Sequence, residues 1–263
     1  MKDDEKIRQT VRENYGRIVS SQSSCCCGPS TGCCEEPVTS PKDQAHKLGY
    51  GNNELDAVPD GANLGLGCGN PQAVAELTPG EVVLDLGSGA GFDCFIAARA
   101  VAPNGCVIGV DMTPEMLAKA RENAQESGVT NVEFRLGEIE HLPVADNSVD
   151  VILSNCVINL SPNKPAVFAE AYRVLKPGGR LAISDVLATK RLPEHLIKDA
   201  ALLCGCVAGA ATVEDVIRIL KEVGFANVRI EVKPESRSII ADWFPGSGAE
   251  EYVASAIIQA TKP

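Results

Sequence analysis

From Gly80 onward the chain alternates short apolar runs with amphipathic stretches. Val82–Leu86, Cys106–Val110, Val132–Leu136, Val149–Leu153 and Leu181–Val186 are short and apolar, and turn residues flank them. That pattern predicts strands. Phe92–Val101, Pro114–Ser127 and Lys164–Val174 carry helical spacing between them. Thr113 stands at an N-cap position with Pro114 in the first turn. Thr212 opens a further helix, in which Val213, Val216, Ile217, Leu220 and Val223 follow the 3.6-residue period. Two late strands, near Val228–Val232 and Val253–Ala260, complete the set. Strand–helix alternation of this kind predicts an α/β fold: a mostly parallel sheet with helices on both faces.

The rest of the chain departs from that rhythm. Lys2–Val19 is predicted helical, with Ile7, Val11 and Ile18 in its apolar stripe. Ser20–Pro41 is rich in Ser, Cys, Gly and Pro and carries Cys25, Cys26, Cys27, Cys33 and Cys34, which reads as a mobile loop bearing thiols. Leu48–Pro71 is polar and glycine-rich, as expected of a loop lying close to a ligand. Leu192–Gly209 interrupts the alternation and is expected to cover an active site. Three parts follow: an N-terminal helix with a Cys/Gly-rich segment (1–71), a ligand-binding domain (72–190), and a covering insertion with a helix and the final strands (191–263).

Composition narrows the partners. Hydrophobic residues make up 44% of 263, enough for one well-packed domain. A net charge of −11 argues against nucleic-acid and anionic-membrane partners, which call for clustered Lys and Arg. No apolar run reaches membrane-spanning length, and the charged start Met1–Lys6 is unlike a signal peptide. A cytoplasmic location is therefore expected, where thiols stay reduced. The eleven cysteines then read as buried fillers, metal or metalloid ligands, or redox pairs, not as a disulfide framework.

The most specific motif is Leu84-Asp85-Leu86-Gly87-Ser88-Gly89-Ala90-Gly91, a buried strand running into a glycine turn that opens a helix. Asp111 closes the next strand, 111 − 91 = 20 residues after the last glycine, where a carboxylate can accept both ribose hydroxyls. The spacing is G-x-G-x-G, not the dinucleotide G-x-G-x-x-G. An acid just before the glycines suits a cationic ligand better than a pyrophosphate. Over Val82–Val186 the sequence resembles class I S-adenosylmethionine methyltransferases, with a Rossmann-like domain. The resemblance carries over to the glycine motif, to Asp111, to Gly137-Glu138-Ile139-Glu140-His141-Leu142-Pro143, and to Leu175-Lys176-Pro177-Gly178-Gly179-Arg180-Leu181. It implies a donor site of Asp85, Gly87, Gly89, Gly91, Asp111, Met112, Glu138 and Ile139. His141 alone reads as part of a solvated loop.

Asn155-Cys156 follows the fourth strand, so Cys156 is expected in the crevice beyond the strand ends. Cys68 lies in Asn63-Leu64-Gly65-Leu66-Gly67-Cys68-Gly69-Asn70-Pro71, and Cys206 lies in the insertion before Gly209-Ala210. Together with Ser154-Asn155-Cys156-Val157-Ile158-Asn159, these contexts resemble the arsenite methyltransferases, from about Tyr15 to Phe244. The resemblance implies methyl transfer from S-adenosylmethionine to trivalent arsenic, in detoxification. Cys68, Cys156 and Cys206 would bind and process the arsenical, and a thiol reductant of the glutathione or thioredoxin type would reset any disulfide. It also implies an N-terminal cysteine, for which Cys25, Cys26, Cys27, Cys33 and Cys34 all remain open. Cys94 and Cys106 are read as core residues, Cys204 has no family match, and His46 and His195 are read as surface residues. Two alternatives stay open: a methyltransferase for a small quinone-like carbon acceptor, and a non-enzymatic thiol sink for metals or metalloids.

Overall fold

The computed structural model describes residues 2–21 and 40–263; the cysteines from Cys25 to Cys34 lie outside them. Seven strands form one sheet: β1 (Val82–Leu86), β2 (Cys106–Asp111), β3 (Val132–Leu136), β4 (Val149–Asn155), β5 (Leu175–Ala188), β6 (Ala226–Lys233) and β7 (Val253–Thr261). Their spatial order is β3-β2-β1-β4-β5-β7-β6. β1 to β5 run parallel, and β7 pairs antiparallel with both β5 and β6. The predicted fold class is thus the observed one.

The order follows from burial. β1 and β4 each carry an apolar run and are buried nearly end to end, as strands covered on both faces must be. β6 alternates half-buried and exposed positions, which suits an edge. One face packs Leu84, Ile152 and Leu181 against Val167, Phe168 and Leu220. The other packs Val83, Val151 and Ala182 against Phe95, Ala98 and Leu117. On the helix Val213–Val223 the buried residues are Val216, Ile219 and Leu220. Ile219, not Ile217, therefore points to the sheet, because it shares a face with Val216 and Leu220 at helical spacing. Thr212 caps this helix as expected, accepting from the Asp215 N–H. Thr113 makes no capping bond; the Asp111 carboxylate takes its N–H instead.

The order of strand addition reverses between β1, which leads outward through β2 and β3, and β4, which leads the other way. The loops after β1 and β4 diverge there and leave a crevice at their carboxyl ends. The helix Lys2–Ser21 lines one side of it through Arg8, Val11 and Tyr15, and the 192–209 segment packs against that helix, Tyr15 Oη donating to the Cys204 carbonyl. Val11, Leu192, Leu196, Leu202 and Val207 form a third apolar cluster, and Cys68, Cys156 and Cys206 are embedded in it. No helix of the described residues is long and apolar enough to cross a membrane.

Candidate active site

The cleft at this switch point is lined by the turn after β1, the end of β2, the 137–140 loop, the turn after β4, the 63–67 loop and the N-terminal helix. Gly87 has φ +68°, and a Cβ there would lie 2.5 Å from Val157. Only glycine allows the turn and the approach together. Gly89 donates its N–H to Asp111 Oδ2 at 3.0 Å, and Thr113 N–H reaches Oδ1 at 2.8 Å. Each oxygen thereby keeps a lone pair for a ligand hydroxyl. Enclosure raises the Asp111 carboxyl above its usual range, and these N–H groups oppose the shift. Ser88 Oγ is buried in the same wall with no partner.

A second feature is a pair of buried carboxylates. Asp85, at 3% exposure, accepts a hydrogen bond from the Cys94 thiol. Asp93 accepts from Tyr50 Oη at 2.8 Å, from Gln72 Nε2 at 3.3 Å and from Asn155 Nδ2 at 3.1 Å. Burial pushes both acids up, and in Asp85 the neighbouring Asp93 adds to it. Two such acids facing one cleft, held by neutral donors, call for a cationic ligand group. The donor set therefore fits S-adenosylmethionine: carboxylates for the ammonium, Asp111 for the ribose, glycines for close approach, and Ser88 Oγ as a free polar partner.

The structure brings Asp85, Gly87, Gly89, Asp111, Met112 and Ile139 to the cleft. Gly91 stands behind it at φ +96°, where a Cβ would lie 2.7 Å from Phe95, so its role there is core packing. Glu138 also turns away. Its oxygens face Arg8 at 3.3 Å and Arg12 at 3.6 Å, both from the N-terminal helix. The buried acid on that wall is Glu140, bonded to Ser161 Oγ at 2.7 Å and facing Arg8 at 3.4 Å. His141 is exposed, as expected of a solvated loop.

Cys156 lies where the sequence places it, one residue beyond β4 and on the cleft wall. Cys68 joins it in a disulfide with a Cα–Cα distance of 5.8 Å. Of the three readings open for the cysteines, this pairing of two of the singled-out sulfurs agrees with a redox pair. Asn155 sets the approach, since its Oδ1 accepts from Cys68 N–H at 3.0 Å while Nδ2 donates to Gly69 O at 2.9 Å. Cys206, buried in the 192–209 segment, directs its thiol to the Cys156 carbonyl at 2.6 Å. Burial pushes the Cys206 thiol up, with Asp185 adding and Lys164 opposing. Asp185 lies within 4.8 Å of the Cys68 and Cys156 sulfurs. Its carboxyl is raised to about 7 by burial, against the pull of Val186 N–H, Lys164, and donors from Asn159 and Ile158. Cys94 is buried as expected. Cys106 is exposed, because it is the first residue of β2 and precedes the stretch that enters the core.

Fold and cleft together define a class I methyltransferase, and a family of methyltransferase domains matches residues 77–224. An arsenite methyltransferase of Halobacterium salinarum is 53% identical over all of this chain and 68% of its own length. One of Mus musculus is 34% identical over 87% of this chain and 60% of its own length. The chain belongs to the arsenite methyltransferase family. It spans about two thirds of the length of these relatives. The crystal structure of an arsenic(III) S-adenosylmethionine methyltransferase from Chlamydomonas reinhardtii superposes with a TM-score of 0.63 at 34% identity, covering 84% of this chain and 73% of that one.

The buried acids make donor binding pH-dependent. A carboxyl raised by burial holds its proton; a cation brought beside it favours the ionised form. Binding S-adenosylmethionine is therefore expected to expel protons from Asp85, Asp93 and Asp111, whose carboxyls are all raised by burial, and to tighten as pH rises. Calorimetry in buffers of different ionisation enthalpy measures this. Proton uptake, or affinity falling with rising pH, rejects the assignment.

Proposed function

We propose that this chain transfers methyl groups from S-adenosylmethionine to cysteine-bound trivalent arsenic, yielding methylated arsenicals. The observation that supports this reading is that Cys68, Cys156 and Cys206 share one buried apolar cluster at the end of β4, with Cys68 bonded to Cys156 and the Cys206 thiol on the Cys156 carbonyl. A quinone methyltransferase has no use for it. A thiol sink has no use for the buried acids and glycine cradle.

Arsenic is soft and prefers sulfur. Three cysteine thiols replace the three hydroxyls of arsenite, and each thiol proton leaves with a hydroxide as water. The bound arsenic keeps its lone pair, so no general base is required. The donor, when bound, supplies an electrophilic methyl carbon on a sulfonium. What the chain contributes is position: sulfurs fixed by the turns at Cys156 and Cys206 hold the nucleophile against the cleft, and the apolar cluster around them excludes water. Bonding a methyl group through the lone pair takes arsenic formally to the pentavalent state. Two cysteine thiolates supply the two electrons that return it and become a disulfide; the Cys68–Cys156 bond supports them as that pair. With these sulfurs joined, the trivalent methylarsenic keeps one cysteine sulfur and takes a thiolate from the external thiol at the freed position. Each cycle then needs an external thiol reductant of the glutathione or thioredoxin class, oxidised in exchange. The 192–209 segment acts as the cover, and the cytoplasm suits this reductant.

Incubation with arsenite, glutathione and labelled S-adenosylmethionine, followed by separation of arsenic species, tests the reading. Labelled methylarsenicals are expected. Donor binding without them favours a carbon acceptor, and no donor binding favours a sink. In the same preparation Asp111→Ala should weaken donor affinity by about 1.5–3 kcal/mol, the value of hydrogen bonds to a charged acceptor. Unchanged calorimetric affinity removes Asp111 from the site.

A further inference from the structure

Cys156 and Cys206 share an uncommon backbone conformation. Their φ angles are +59° and +64°, in the left-handed region that residues with a Cβ seldom adopt. Such positions persist only where surrounding contacts over-determine them. Here the contacts converge on one buried pair, Asn159 and Asp185.

Asp185, on β5, receives the Ile158 N–H at 3.1 Å on Oδ2. Its Oδ1 receives Asn159 Nδ2 at 2.9 Å and the Val186 N–H at 2.7 Å. The turn that leaves Cys156 is thereby fastened to the neighbouring strand. Asn159 Nδ2 also reaches the Val186 carbonyl and, at 3.2 Å, the carbonyl of Cys206. The Cys206 thiol then returns to the Cys156 carbonyl. Backbone packing closes the same circuit, for a Cβ on Gly209 would lie 2.1 Å from the Asn159 carbonyl oxygen. Asn159 is 3% exposed and carries no atom that ligates arsenic, so anything it does for the reaction it does through Cys206.

Building on the functional reading above, we propose that Asn159, oriented by Asp185, is the positioning residue that holds Cys206 against Cys156, so that arsenite meets all three sulfurs. Arsenite needs three sulfurs at one pyramidal centre. Cys68 and Cys156 are brought together by Asn155. Cys206 comes from a different segment, fifty residues on from Cys156, and Asn159 is the side chain that spans the two turns.

The test uses the full chain, reduced, with one equivalent of arsenite. Arsenic K-edge X-ray absorption counts sulfurs on the metalloid; calorimetry measures arsenite and S-adenosylhomocysteine affinity; a thermal melt monitors the fold. Two variants are compared, Asn159→Ala and the double exchange Asn159→Asp with Asp185→Asn. The exchange keeps a hydrogen bond across the pair but leaves no donor for the Cys206 carbonyl. The parent is expected to show about three sulfurs per arsenic, and both variants about two. Arsenite affinity should fall about tenfold or more, with S-adenosylhomocysteine affinity unchanged within about twofold. Three sulfurs and parental arsenite affinity in the double exchange overturn the proposal. Loss of the fold in both variants overturns it as well, because Asn159 would then hold the domain and not the sulfurs. A parent that folds and binds S-adenosylhomocysteine but takes up no arsenite overturns the functional reading itself, and is distinguishable from either.

Discussion

Replacing Cys156 with serine is expected to lower methyl transfer to arsenic by roughly a thousandfold, about 4 kcal/mol of barrier. The hydroxyl is a hard ligand and a weak reductant, so the variant loses a sulfur for binding and half of the Cys68–Cys156 pair at once. The effect should separate cleanly from the donor. Cys156 stands at the cleft wall, but the glycine turn, Asp111 and the Asp85–Asp93 pair hold together through bonds that do not involve its sulfur. S-adenosylmethionine affinity should therefore stay within about twofold of the parent. Steady-state turnover with arsenite and excess thiol, paired with calorimetry of the donor, measures both. Turnover at the parental rate removes Cys156 from the reaction; loss of both would place it in the donor site instead.

The donor half of the site was legible because its residues are local. The strand Val82–Leu86, its glycines and the helix Phe92–Val101 are contiguous, and Asp111 follows at a spacing dictated by one βαβ step. Asp93 was not legible. In the first turn of a helix, an acid reads as a partner of the helix dipole. Its role at the cleft comes from Tyr50, 43 residues away, and Asn155, 62 residues away. The resemblance implies Glu138 in the donor site and leaves out Glu140, two positions on in the same loop. Only the docking of Arg8 and Arg12 from the N-terminal helix shows which carboxylate is turned outward. The early start of β5 escaped for a different reason. Lys176-Pro177-Gly178-Gly179 has turn chemistry, yet Leu175 pairs with Val149 across a register shift before the regular ladder resumes at Arg180. Cys68, Cys156 and Cys206 were singled out by their sequence contexts. That two of them join as a disulfide across 88 residues, while the third meets a backbone carbonyl, depends on long-range packing that no local pattern encodes.

Serine in place of Cys68 should separate binding from redox, because arsenic's valences can be counted. Arsenite has three exchangeable positions, and methylarsenite has two, since carbon holds the other. If Cys156 and Cys206 form the core pair and Cys68 supplies the third thiolate, arsenite loses a ligand in the variant and methylarsenite does not. In a single turnover, before any disulfide must be reset, arsenite transfer should fall about tenfold to a hundredfold and methylarsenite transfer by less than about threefold. The burial of Cys68 at 2% exposure, its hold by Asn155 and its bond to Cys156 place the sulfur close enough for either role. Under multiple turnover both substrates should fail, because Cys156 has lost its partner for the two-electron step. Rapid-quench measurement of one methyl transfer to each substrate decides the question. Equal single-turnover losses on the two substrates reject a role as third ligand. Full single-turnover rates with failure only on repeated cycles assign Cys68 to electron transfer alone, and would leave arsenite held by two cysteines and an exogenous thiol.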